Sequence, residues 1–265
     1  MRDFLRLTAQ FSGLAAPIRT IYHRLFFFSR RTRVARCSGI TRVFSTPTPT
    51  IAEYVRTLTD EGAVLEPFLG VLKDSDVVWD VGAGFGLYTL FASARLQAGS
   101  VLAFEPEPRI RSLLLKNVGL NEAGNVTVSP VALGDMDGEA GLFASNSPNV
   151  GTSALVRRTD YPVRTVPTPV AVHCGDSLVA RGDAPAPIVL KVDVEGAEAR
   201  VLTGLLDTCR SGTVRIICCE VHPRLLPLYG SSAEQVESLL ASLGFSVLVR
   251  HHRGTEYHLL CARTP

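Results

Sequence analysis

Short apolar runs alternate with longer amphipathic stretches along most of this 265-residue chain. Val77–Val81, Val101–Glu105, Val126–Leu133, Ile188–Asp193 and Val214–Glu220 have the continuous apolar character of strands buried on both faces. Between them, helical spacing runs from Ile51 to Leu72, from Leu87 to about Leu96, from Pro108 to about Val118, from Glu195 to Cys209 and from Ala233 to Leu243. Pro106-Glu107-Pro108 suits a helix opening, and Gly244 suits a helix C-terminus. The interval 138–175 is poor in helical pattern and carries strand-like pieces at 140–144, 153–156 and 168–173. The last two strands, Phe245–Arg250 and Glu256–Ala262, are separated by five residues, too few for a crossover helix. They must form an antiparallel hairpin. Alternating strands and helices predict an α/β, doubly wound, mostly parallel sheet, and the closing hairpin departs from a plain dinucleotide-binding pattern.

Charge divides the chain unevenly. The net charge is +2, yet residues 1–43 hold nine arginines against Asp3, so the arm is +8 and the remainder −6. The body therefore has no basic footprint for nucleic acid, and no nucleic-acid partner is expected. In the arm, arginines interleave with Phe, Leu and Ile. Its uncharged stretch from Leu7 to Ile18 is shorter than the roughly 20 apolar residues a membrane span needs. Two roles are open: peripheral contact with an anionic membrane surface, or a helical extension that packs on the body or on a second subunit of a homodimer. Residues 45–50, Ser-Thr-Pro-Thr-Pro-Thr, read as a linker, which divides the chain into an arm at 1–50 and a catalytic body at 51–265. Cys37, Cys174, Cys209, Cys218, Cys219 and Cys261 form no C-x-x-C pair and read as small core residues of a reducing, cytoplasmic compartment.

Candidate chemistry concentrates at strand ends. After Val77–Val81 comes Gly82-Ala83-Gly84-Phe85-Gly86, a turn that lets a ligand approach the main chain at the carboxyl end of a parallel strand. Asp80, just ahead of the turn, would repel a pyrophosphate and suit a cation. The spacing G-x-G-x-G puts Leu87 where a dinucleotide fingerprint needs its third glycine. Both features favour S-adenosyl-L-methionine over NAD. Glu105 ends the next strand, where a carboxylate can accept both ribose hydroxyls. Ala132 and Asp135, at the end of the third strand, are placed to reach an adenine.

The second concentration is Leu190-Lys191-Val192-Asp193-Val194-Glu195-Gly196-Ala197-Glu198. Period-two alternation puts Lys191, Asp193 and Glu195 on one strand face, an arrangement that burial makes costly unless the charges are paired. Glu220-Val221-His222-Pro223 ends the neighbouring strand. His222 has the intrinsic pKa of a general base and can meet Asp193, which would orient it or act directly. Asp193, Glu195 and His222 are the candidate catalytic groups. No metal is assigned.

VWDVGAGFGLYTL (78–90), VLAFEPEP (101–108), NVTVSPVALGD (125–135), NVGTSAL (149–155), IVLKVDVEGAEARVLTGL (188–205) and ICCEVHP (217–223) together resemble the FkbM family of methyltransferases. The resemblance spans roughly 60–263. It implies the class I methyltransferase fold, a Rossmann-like seven-stranded sheet with one antiparallel strand, and mostly O-methylation of hydroxyls on small molecules, sugars or glycan- and lipid-linked acceptors. It also implies that Asp80, Gly82 and Gly84 contact the methionine end of the cofactor, Glu105 the ribose, and Asp193 the methyl-transfer region. Gly84 stands where the family usually has Asn, and His173-Cys174-Gly175-Asp176 replaces the usual T-L-D. A non-catalytic S-adenosylmethionine-binding scaffold and an NAD-dependent oxidoreductase are the competing readings.

Overall fold

A computed structural model describes residues 32–58, 61–144, 154–155 and 166–264. Among these residues the strands form three sheets. The largest has seven strands: β3 (Val77–Val81), β4 (Ser100–Phe104), β5 (Val126–Ser129), β9 (Val189–Val192), β10 (Ile216–Val221), β11 (Phe245–Arg253) and β12 (Glu256–Arg263). Their spatial order is β11-β12-β10-β9-β3-β4-β5. β3, β4, β5, β9 and β10 pair in parallel, while β12 runs antiparallel to both β10 and β11. The expected α/β architecture and closing hairpin are both present. From β3 the chain winds outward through β4 and β5, then returns to the other side of β3 as β9 and continues to β10. That reversal opens a crevice at the carboxyl ends of the central strands, where ligands bind in such sheets.

Alternation along the strands builds two cores, one on each sheet face. Trp79, Val81, Leu190, Val192, Ile217, Cys219 and Leu259 face one way, and Val78, Val189, Ile216, Cys218 and Leu260 the other. Adjacent Cys218 and Cys219 thus divide between the faces, and all six cysteines are free thiols. On the second face the apolar pattern stops towards the carboxyl ends. There Asp80 lies in register with Lys191, and Glu220 with His258. A polar layer is thereby laid across four adjacent strands, directly beneath the crevice.

Three local readings change. The apolar run Val126–Leu133 is two strands: β5 stays in the main sheet, while β6 (Ala132–Gly134) leaves it to pair with β8 (Thr168–Cys174), which also pairs with β7 (Gly138–Leu142). The stretch Ile51–Leu72 breaks into α1 (Pro49–Thr57) and α2 (Gly62–Val71). The helix expected from Glu195 begins only at Glu198, because Glu195 and Gly196 both have positive φ.

The arm differs most from expectation. Residues 1–31 lie outside the described residues. From residue 32 the chain is no helical extension but a hairpin of β1 (Thr32–Cys37) and β2 (Ile40–Ser45). β2 is stitched to the body by side-chain amides of the helix Pro108–Leu120 and the residue after it. Asn117 Oδ1 accepts from Ser45 N at 2.7 Å, and Asn121 Oδ1 accepts from Val43 N at 2.9 Å. Phe44 is fully buried and packs edge-on against Phe85 at 5.7 Å. The stretch expected to be a linker is therefore ordered structure. Ser45 and Thr46 are buried, Thr48 caps α1 by accepting from Ile51 N, and Pro49 occupies the first turn. No helix among the described residues is long and apolar enough to cross a membrane.

Because Phe44 is core rather than tail, Phe44→Ala is expected to lower unfolding free energy by about 3–5 kcal/mol in urea denaturation. An unchanged midpoint would restore the view of the hairpin as a dispensable arm.

Candidate functional site

The crevice is a cavity of about 420 Å³ at the carboxyl ends of β3, β4, β9 and β10. Its floor is an ion-pair cluster. Lys191 is buried in the middle of the sheet, with Nζ 3.3 Å from Asp80 Oδ1 and 3.5 Å from Asp193 Oδ2, and it donates to the Gly82 carbonyl at 3.1 Å. Burial opposes its charge, but Asp80, Asp193, Glu220 and Glu61 more than offset this and raise its pKa. Asp80 in turn accepts from Thr89 Oγ at 2.5 Å, from the helix that follows the glycine turn. One lysine therefore joins β3, β9 and the turn.

Two glycines make the turn a cradle. At Gly82, with φ of 77°, a Cβ would lie 1.8 Å from the Asp193 carbonyl oxygen, so any side chain is excluded by backbone. At Gly84, with φ of 57°, a Cβ would meet nothing within 4 Å. The backbone there faces open cavity. Glu105 closes the turn from β4's end, accepting from Gly84 N and Glu107 N, each at 2.9 Å. Its burial raises its pKa to about 7, even though both backbone bonds favour the anion.

The opposite wall comes from β9 and β10. His222 is buried, and its Nδ1 donates to Glu198 Oε1 at 2.8 Å. That same oxygen accepts from Gly196 N at 2.9 Å, so Glu198 holds both the imidazole and the turn carrying Glu195. His222 Nε2 lies 3.8 Å from Asp193 Oδ1 and 4.0 Å from Glu195 Oε2. Burial lowers the pKa of this imidazole, but Glu198, Glu195 and Asp193 together drive it up to about 10. Asp193 moves the other way: burial raises its pKa, while Lys191, His222, His258 and Arg253 bring it below its ordinary value. The resting pair is an imidazolium beside a carboxylate.

A further network, invisible in the sequence motifs, completes the wall. Glu61, between α1 and α2, accepts from Tyr54 Oη at 2.5 Å and Tyr88 Oη at 2.9 Å. Arg253, at the tip of the closing hairpin, bridges Glu61 at 2.7 Å and Glu220 at 2.8 Å. His258 Nε2 sits 3.3 Å from Glu220. Sequence patterning points to Glu220, but Glu61 and Arg253 lie 192 residues apart and carry no motif.

Of the residues singled out from sequence, Gly82, Gly84, Glu105, Ala132, Asp193, Glu195 and His222 line the cavity. Asp80 lies beneath it, and Gly86 lies behind the turn as the residue preceding the helix Leu87–Arg95. Asp135 is a correction. It is exposed and does not line the cavity, because β6 departs to the small sheet and carries the residues after it away from the crevice. Asp176, noted beside the family's usual T-L-D, is structural: its carboxylate accepts from Asp207 N, Thr208 N and Thr208 Oγ and caps the helix Leu206–Arg210. In the 138–175 interval, residues 145–153 and 156–165 lie outside the described residues, while Leu142 and Leu155 reach the cavity wall.

Comparison with known proteins identifies the family. The chain is 29% identical over 204 residues to hexuronic acid methyltransferase AglP of Haloferax volcanii, covering 75% of this chain and 77% of that one. It is also 29% identical over 221 residues to 31-O-demethyl-FK506 methyltransferase FkbM of Streptomyces tacrolimicus, covering 72% and 82%. Among solved structures, methyltransferase FkbM of Methylobacillus flagellatus KT matches with TM-score 0.47 and 17% identity, over 78% of this chain and 52% of that one. Precorrin-6y C5,15-methyltransferase of Geobacter metallireducens GS-15 matches with TM-score 0.47 and 14% identity, over 77% and 88%. The methyltransferase FkbM domain matches residues 80–247, from the acid beneath the glycine turn to the first strand of the closing hairpin. A cradle at the sheet's reversal point, walled by paired carboxylates and spanned by that match, places this chain in the FkbM methyltransferase family.

Proposed function

We propose that this enzyme uses S-adenosylmethionine to methylate a hydroxyl oxygen on a small molecule or sugar. The observation that carries the cofactor reading is the pairing of an open glycine turn with a carboxylate. Gly84 presents bare backbone to the cavity, and Glu105 is fixed beside it. The donor set suits this group: backbone at Gly82 and Gly84 for its amino-acid end, the Glu105 carboxylate for ribose hydroxyls, and Ala132 with Ile110 as apolar cover for the base. When bound, S-adenosylmethionine supplies a methyl group activated by its sulfonium.

An acceptor hydroxyl must shed its proton on becoming an ether. Asp193 supports the role of proton acceptor, because its neighbours keep it ionised and its side chain is 30% exposed. Glu195, in a left-handed conformation that costs a non-glycine residue roughly 1–3 kcal/mol, holds a second carboxylate near the same point. His222 fits an orienting cation better than a base, since both ring nitrogens of an imidazolium already carry protons and neither can accept another. It lies within 4.0 Å of both carboxylates and offsets part of their charge.

Calorimetry with S-adenosylhomocysteine tests the cofactor reading. Tight binding is expected, with at least tenfold loss in Glu105→Ala. Binding of NAD instead would point to the oxidoreductase, and cofactor binding without transfer to any hydroxylated acceptor would favour a scaffold. Glu105 also sets a pH dependence. Its carboxyl loses its proton through about pH 7, so affinity is expected to rise between pH 6 and 8 and to be flat in Glu105→Gln. In the unliganded fold the sign is opposite. A carboxyl whose pKa is raised on folding stabilises below its unfolded value of about 4.3 and loses that contribution as pH passes about 7.

Asp193→Asn is expected to lower kcat about 10²–10⁴-fold with less than threefold change in S-adenosylhomocysteine affinity. A wild-type rate in that variant would place the proton acceptor elsewhere. His222→Gln is expected to reduce kcat less than Asp193→Asn, and the reverse order would restore His222 as the base.

A further inference from the structure

His222 turns one ring nitrogen towards the cavity wall with no hydrogen-bond partner among the described residues. The ring is buried, with 3% of its side chain exposed. Its Nδ1 is pinned at 2.8 Å by Glu198 Oε1, which also takes Gly196 N at 2.9 Å, so the direction of the ring is fixed from behind. Nε2 is thereby aimed between Asp193 Oδ1 at 3.8 Å and Glu195 Oε2 at 4.0 Å. Those distances are too long for hydrogen bonds, and a charge-assisted bond would close to about 2.7–2.9 Å. They suit two donors of one ion, because ligand atoms about 2.0–2.3 Å from a common centre stand about 3–4.5 Å apart, according to the angle between them. Asp193, Glu220 and His222 each bring a ligand atom within 4.8 Å of the other two. Glu220 accepts from Arg253 at 2.8 Å and lies 3.3 Å from His258. A carboxylate offers about four acceptor positions, so these contacts do not exhaust it.

We propose that Asp193, Glu220 and His222 bind a divalent metal ion, with Glu198 as the carboxylate that orients the histidine. A histidine that donates one N–H to a carboxylate and turns its other nitrogen to a set of ligand atoms has the arrangement that metal-ligating histidines adopt. One imidazole with two carboxylates suits Mn²⁺ or Zn²⁺ better than Ca²⁺, whose sites are built from oxygen. The two carboxylates cancel the charge of the ion, so the filled site stays compatible with both a sulfonium and a carboxylate on a neighbouring ligand. Only neutral imidazole ligates, so the Nε2 proton leaves to solvent as the ion enters. All three residues line the cavity, where an acceptor hydroxyl can complete the coordination and be oriented by it. That role rests on the methyl-transfer reading above, whereas the ion site itself does not.

The test titrates the full chain, stripped of metal by a chelator, with Mn²⁺ and follows the free ion by electron paramagnetic resonance. Binding of about one ion per chain is expected, with a dissociation constant below about 100 μM. Asp193→Asn and His222→Gln are each expected to weaken it at least about tenfold. Glu198→Gln keeps a hydrogen-bond acceptor for the ring but loses the charge, and a loss of about 10–100-fold is expected there. Asp135→Asn, at an exposed acid away from the cavity, is expected to leave binding unchanged. Circular dichroism checks the fold of each variant. No bound Mn²⁺ at about 1 mM overturns the proposal. So does binding that Asp193→Asn and His222→Gln leave intact in folded variants, which marks an adventitious ion only. Binding untouched by Glu198→Gln overturns the orienting role given to Glu198. S-adenosylhomocysteine is titrated into the same samples. If it binds and Mn²⁺ does not, the ion site falls and the cofactor reading stands, and the opposite result strikes the cofactor reading alone.

Discussion

A lysine ammonium buried in the centre of a parallel sheet organises this molecule. Lys191 is tolerable there only because Asp80, Asp193 and the Gly82 carbonyl surround it. Asp80 is the closer and the more deeply buried of its two carboxylates, and removing one partner of a buried pair costs about 3–5 kcal/mol. The same three partners frame the cavity: Asp80 lies near the end of β3, Gly82 opens the cradle, and Asp193 lines the wall. Fold and site therefore share one electrostatic knot. Register supplies it, because Asp80 and Lys191 are cross-strand neighbours on one sheet face.

Around that knot, positions forbidden to ordinary residues give the site its shape. The turn at Gly82 passes so close to the β9 end that the Asp193 carbonyl occupies the place of a Cβ. Beyond β9, Glu195 takes a left-handed conformation and Gly196 N is tied to Glu198. Glu198 is wholly buried and meets His222 through the same oxygen, so a strained turn and an imidazole on the next strand move as one unit. Strain held by such crossing restraints is how a carboxylate can be kept facing a cavity instead of relaxing into solvent.

Much of this was legible in the sequence for a physical reason. Parallel strands buried on both faces are written as continuous apolar runs, and a charge within such a run stands out because it must be paired. Lys191, Asp193, Glu105 and the glycine turn were readable on those grounds, as was the closing hairpin, whose five-residue connection permits no crossover. Asp135 misled because Val126–Leu133 is one apolar run, and periodicity has no mark for the point at which a chain changes sheets. The hairpin at 32–45 misled for a related reason. Alternating Arg and apolar residues suit an amphipathic helix or an edge strand, and only Phe44 seated against Phe85, with Asn117 and Asn121 holding the backbone, selects the strand.

By itself the sequence determined the order of elements and the carboxyl-end position of the candidate site. These are local consequences of spacing and residue type. Tertiary structure decided which charges neutralise one another. Glu61, Arg253, Glu220 and His258 come from distant parts of the chain and meet on one sheet face through strand order and register. Tertiary structure also decided the protonation of His222, which the sequence presents as an ordinary base and which Glu198, Glu195 and Asp193 hold as a cation. A side chain's proton affinity depends on the charges and water around it, and those are properties of the folded arrangement rather than of the residue.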